Sequence, residues 1–211
     1  MQDILRVLWQ VTPLKPPRIW QNCSRCDART PFVCSGRFRI NAQRKRLDAW
    51  LIYRCASCDQ TWNYPVLERG LLKNIDPSVF RALSENCGDL ARRHAFDLPR
   101  LRRYSDQVEE FAEVTVEKRL RDRCVHEPGQ VVISIASSLP CRIRLDRLLA
   151  GELGLSRSTV QRLHDAAMLV VSPGNRAAMR QPVRDGQTVA IDLRSLERTP
   201  DLVSAILKGA A

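Results

Sequence analysis

No apolar run in this chain approaches the roughly eighteen residues needed to cross a bilayer, and the longest, over residues 131–136, has the length of one strand. A soluble protein without a membrane contact is expected. The N-terminus, Met1-Gln-Asp, shows no basic segment followed by an apolar one, so it has none of the features of a secretory signal. Eight cysteines in such a chain argue against a secreted disulfide scaffold and point to the reducing cytoplasm. Catalytic signatures are missing too: there is no phosphate-binding glycine loop, no H-E-x-x-H, no nucleophile elbow and no convincing acid/base pair. These absences set the expectation of a non-enzymatic protein.

What is present begins with Cys23, Cys26, Cys55 and Cys58, which form C-x2-C, a gap of 28 residues and C-x2-C again. Each pair sits in a short turn able to aim two thiolates at one point, so the two turns supply four sulfurs to a tetrahedral ion. Between them, residues 32–40 and 46–54 are strand-like runs around a polar turn at 41–45, and a third strand is expected from Thr61 to Val66. This is a zinc-ribbon pattern over residues 1–70. A rubredoxin-like iron site takes the same ligands, but here Asp27 and Asp59 follow each pair where such knuckles usually carry glycine, so one structural zinc is the expectation. Cys34, Cys87, Cys124 and Cys141 are scattered singly and read as small buried apolar residues. His94 and His126 have no partner at ligand spacing.

The net charge of +11 is unevenly spread. Residues 1–70 hold twelve Lys/Arg against five Asp/Glu, residues 71–130 eleven against eleven, and residues 131–211 eleven against seven. Basic ends attract phosphate backbones, which makes nucleic acid the first partner to consider. Arg37 and Arg39 share a strand face, and Lys45 sits with Arg44 and Arg46 at the hairpin tip, giving a basic finger. Trp50, Trp62 and Tyr64 offer flat faces for base stacking, although a small metal domain also needs large rings for its core, and the core reading is favoured. Trp9, on an expected strand at residues 4–11, and Trp20 are expected to wrap the ribbon.

Residues 71–130 read as a mostly helical connecting segment. Asp76-Pro77 marks a helix start, and residues 105–123 fit a helix or a strand equally. From residue 131 the pattern is clearer: an apolar strand, then Leu145, Leu148, Leu149 and Leu153 at helical spacing, closed by Gly154. Ser156 caps a second helix on which Val160, Leu163 and Ala167 face one side and Arg157, Gln161 and His164 the other. Further strands follow at 168–171 and 187–193, and residues 196–211 read as a terminal helix or tail.

Arg144-Leu-Asp-Arg-Leu-Leu149, Leu155-Ser-Arg-Ser158 and Arg184-Asp-Gly-Gln-Thr-Val189 together resemble the RNA-binding domain named after ribosomal protein S-four. The resemblance spans residues 142–193 and implies an α+β domain over 131–195 whose two helices present basic side chains to RNA. It assigns Arg144 and Arg147 to the first helix's RNA face, and Arg157, Ser158, Gln161 and Arg162 to the second's. One departure is the stretch at 165–172, which lacks the glycine of that family, so its left-handed turn is expected to be built differently. The chain also resembles an uncharacterised family of bacterial proteins of unknown function, through Trp9, Trp20, the cysteine pairs, Arg37-Phe-Arg-Ile-Asn41 and Leu51-Ile-Tyr-Arg-Cys55. The expected fold class is α+β: a β-rich zinc ribbon, a helical middle and an S-four-like domain. The expected function is binding of structured RNA, with DNA binding or a protein-interaction adaptor as the alternatives.

Overall fold

A computed structural model describes residues 4–121, 128–174, 177–194 and 199–209. In chain order the strands and helices are β1 (Ile4–Pro13), β2 (Arg18–Cys23), β3 (Ala28–Gln43), β4 (Arg46–Cys55), β5 (Thr61–Leu71), α1 (Pro77–Ser84), α2 (Gly88–Ala95), α3 (Leu98–Leu101) and β6 (Val108–Glu109). They continue with β7 (Val114–Leu120), β8 (Gln130–Ala136), α4 (Leu145–Leu153), α5 (Arg157–Asp165), β9 (Leu169–Ser172), β10 (Thr188–Asp192) and α6 (Thr199–Leu207). Two units result: residues 15–110 make one, and residues up to 14 join those from 111 onward to make the other. This division differs from a ribbon ending at residue 70 and a connector ending at 130.

In the unit of residues 15–110, the strands are ordered β5-β4-β3-β2-β6 and every neighbouring pair is antiparallel. The meander puts the β2–β3 and β4–β5 loops at one end of the sheet and the β3–β4 turn at the other. That turn is the two-residue Arg44-Lys45, both at positive φ (48° and 64°), a geometry matched to the twist of the flanking strands. A bulge at Gly36, with φ 71°, shifts the register between Cys34 and Phe38. The inward faces of β3, β4 and β5 bury Phe32, Phe38, Leu47, Leu51, Tyr53 and Tyr64, and α1 to α3 add Leu83, Leu90, Ala91, Ala95 and Leu101 to the same core.

The other unit has the order β7-β1-β8-β10-β9. Strand β1 lies antiparallel to β7 and parallel to β8, and its alternation buries Val7, Trp9 and Val11 completely. Trp9 therefore does not wrap the ribbon, since a central strand must bury a full face and its partners lie more than a hundred residues away. Helix α4 buries Leu145, Leu148, Leu149 and Leu153 and ends at Gly154 with φ 65°. Helix α5 begins at Ser156, whose Oγ accepts the Thr159 N–H at 3.0 Å. Its end is a Schellman motif: Met168 N–H reaches Leu163 O at 2.9 Å, Ala167 N–H reaches His164 O at 3.1 Å, and Ala167 itself has φ 56°. The left-handed residue is thus present without a glycine, correcting the expectation of a different turn.

The expected α+β class with a helical middle is overturned. The described residues form ten strands in two five-stranded sheets with short helices attached, so the protein is β-rich. Among the described residues of the middle, the α-helices are three short pieces within 77–101, preceded by a 3-10 turn at Leu72–Asn74; after them β6 pairs with β2 and β7 with β1. The alternation of Val114, Val116 and buried Lys118 resolves as a strand because β1 offers it an unpaired edge. Among the described residues no helix is long and apolar enough to cross a membrane. Cys124 and His126 lie outside the described residues.

Candidate metal centre and basic surfaces

Cys23 closes β2 and Cys55 closes β4, so the two loops at the shared end of the sheet carry all four thiols. Their sulfurs lie within 4.8 Å of one another, with Cys23 to Cys58 at 3.5 Å and Cys26 to Cys55 at 3.8 Å. A tetrahedral ion with metal–sulfur bonds of about 2.3 Å has sulfur edges of about 3.8 Å, so the donor set fits one four-coordinate ion. The two knuckles are built alike. Arg25 and Cys26 N–H groups donate to the Cys23 sulfur, and Ser57 and Cys58 N–H groups to the Cys55 sulfur. The residue after each pair, Asp27 or Asp59, takes a left-handed φ of 50° or 62°. The turn therefore needs the conformation that glycine gives most easily, and aspartate is among the side chains that tolerate it.

Four thiols this close cannot all ionise without a cation among them. The Thr30 hydroxyl, 3.2 Å from the Cys55 sulfur, pulls that thiol down to about 6, whereas the neighbouring Cys58 sulfur pushes Cys26 up to about 12. Cys23 and Cys55 are buried and Cys26 and Cys58 partly so, which shields the sulfurs from exchange. Thr30 was not legible in the sequence, because its role depends on the strand register and no local motif marks it. Cys34 and Cys141 are kept protonated by burial, and neither joins a ligand cluster.

The helical arginines form a defined group. Asp146, only 5% exposed, lies in the first turn of α4 and accepts from Arg144 (Nε at 3.1 Å, Nη2 at 2.6 Å) and from Arg157 (Nη2 at 2.9 Å, Nε at 3.3 Å). The arginine hydrogen bonds outweigh burial and hold its carboxyl below the usual range. Arg147 and Arg162 are exposed and form no ion pair among the described residues; Arg162 Nη2 donates to Thr159 Oγ1 at 3.3 Å. Ser158 is exposed, bonded to the capping Ser156 hydroxyl at 2.8 Å, and Gln161 Nε2 donates to Asp165 at 2.9 Å. His164 is partly buried, with Nδ1 3.0 Å from Leu169 O. Asp146 was missed in the sequence; its signal was an acid inside an Arg-x-Asp-Arg helix start.

On the sheet of residues 15–110, Arg37 and Arg39 flank buried Phe38 and both are exposed, as is Lys45. The hairpin is not a free finger, however. Strand β5 runs beside β4 to its tip, and Leu72 N–H bonds to Lys45 O at 2.9 Å. Tyr64 is fully buried and meets Tyr53, Trp62 and Tyr104 at ring-centroid distances of 5.5 to 5.9 Å, so it serves the core. Trp62 and Trp50 are half-buried, Trp50 opposite Arg39 across the strands. His94 packs edge-on against Phe38 at 6.2 Å, and burial pushes its pKa down.

A family model described as a protein of unknown function (DUF1062) matches residues 40–174. No curated protein and no solved structure matches the chain.

Proposed function

The chain belongs to this family of proteins of unknown function, and on that premise we propose that it is a non-enzymatic protein of the bacterial cytoplasm that binds structured RNA through α4 and α5. The observation that carries the reading is the arginine group on these helices. Arg144 and Arg157 are drawn together on one buried carboxylate, and Arg147 and Arg162 stand exposed, without ion pairs among the described residues. Arg144 and Arg157 use Nε and Nη2 on Asp146, which holds each guanidinium in place with its Nη1 side left for phosphate oxygens. The order α4, α5, β9, β10 is also the order that the resemblance to the S-four-type domain implies.

The metal in this reading is one zinc ion held by Cys23, Cys26, Cys55 and Cys58. Four thiolates leave no open coordination position, so zinc here would link two loops of a sheet and supply folding energy, with no catalytic part. Crosslinking in cells, followed by sequencing of the attached nucleic acid, tests the reading. Recovery of base-paired RNA segments is the expected result. Recovery of DNA would replace RNA with DNA as the ligand, and a protein partner that persists after nuclease treatment, with no nucleic acid recovered, would favour an adaptor.

A further inference from the structure

After α3 the chain makes a turn through residues 102–106 that is locked onto β2. Buried Ser105 places Oγ 2.7 Å from the Trp20 carbonyl and 2.9 Å from that of Gln107, and Gln21 Nε2 donates to Tyr104 O at 3.2 Å. The turn thereby presents Arg102, Arg103 and Tyr104 along a cleft of about 500 Å³, whose other wall is Trp20, Gln21, Asn22 and Arg29. Within it Arg29 pairs with Asp106, Arg102 pairs with Glu110 at 3.1 Å, and Arg103 is exposed with no ion pair among the described residues. Three guanidinium groups face one lining carboxylate, so the cleft favours an anion. Tyr104 is 38% exposed while packed against Trp62 at 5.8 Å and Tyr64 at 5.5 Å, so its ring is held in place before any ligand arrives.

An aromatic ring beside the exposed guanidinium of Arg103 suits a ligand with both a flat ring and a phosphate. A base inside a duplex cannot reach such a ring, whereas an unpaired one can. We propose that this cleft binds a nucleotide within a single strand, its base against Tyr104 and its phosphate on Arg103. The site stands independently of α4 and α5.

The test is fluorescence anisotropy of the full chain with labelled octamers of uridylate and of deoxythymidylate at low salt. Tyr104→Ala and Arg103→Glu should each weaken octamer binding about five- to a hundredfold, with Tyr104→Phe close to the wild type and melting temperatures unchanged. Lys208→Gln, an exposed charge lost outside the cleft lining and with no part in the α4/α5 reading, should leave octamer binding intact. Preference for one octamer would name RNA or DNA as the source of the strand; equal binding would mean that both are accepted, as expected of a reader of base and phosphate. The proposal is overturned by wild-type protein that binds neither octamer, by binding indifferent to both cleft variants, or by a loss in Lys208→Gln as large as in the cleft variants. Should Tyr104→Ala unfold the protein, Arg103→Glu alone decides. Failure here leaves the α4/α5 reading standing, since that reading is judged on base-paired RNA.

Discussion

Replacing Asp146 with Asn removes a negative charge from the proposed RNA surface, and simple electrostatics predicts tighter binding. A phosphate about 8 Å away through water would gain about 0.5 kcal/mol from that removal. The opposing effect is larger. Asp146 holds Arg144 and Arg157 by four charge-assisted hydrogen bonds, and a free arginine side chain loses about 1.5–2 kcal/mol of rotamer freedom when it docks. Both guanidinium side chains are about half exposed, so about half of that cost is prepaid for each, giving about 1.5–2 kcal/mol for the pair. The net expectation for Asp146→Asn is binding weaker by about 1–1.5 kcal/mol, about a five- to thirteenfold rise in Kd. Stability should fall by about 1–2 kcal/mol at pH 7. The sign of the pH dependence follows from the lowered folded pKa: this contribution is present above the unfolded value near 3.8 and is lost as pH falls through the folded value below it, and the Asn variant lacks that acid limb. Titration calorimetry with a hairpin RNA, beside urea melts from pH 2.5 to 7, checks both numbers. A folded Asp146→Asn protein that binds as tightly as the wild type, or more tightly, would refute the reasoning.

Cys55→Ser should abolish stoichiometric zinc binding and broaden the amide spectrum of residues 15–110, since it removes a ligand from a site that joins two loops; Cys34→Ser should retain one zinc per chain by atomic emission. Ala167→Gly should raise stability by about 1 kcal/mol in denaturant melts, because it relieves a left-handed alanine at the end of α5. Leu149→Ala, at a fully buried position, should lower stability by about 2–5 kcal/mol by the same assay.

The metal cluster was legible because its information is local: two C-x2-C turns and one hairpin determine where four sulfurs meet. The α4–α5 helices were legible for the same reason, through the leucine stripe, Gly154 and Ser156. Strand β1 was legible as a strand but its place in a sheet was not, since its neighbours β7 and β8 lie more than a hundred residues away and nothing near residues 4–13 announces them. Residues 105–123 carried both periods at once, and pairing partners decided between them. Asp146, Thr30 and the Ser105 turn were missed because their roles exist only after distant segments meet.

Binding of a fully base-paired hairpin RNA across a salt series tests the central claim most directly. Four arginines on phosphates, Arg144, Arg147, Arg157 and Arg162, give a slope of log K against log salt of about −3.6, and Arg147→Gln/Arg162→Gln should reduce it to about −1.8. These two are the informative pair because neither is in an ion pair among the described residues, so the melting temperature should hold. A steep slope that the double variant leaves unchanged, or no binding at low salt, would contradict the account.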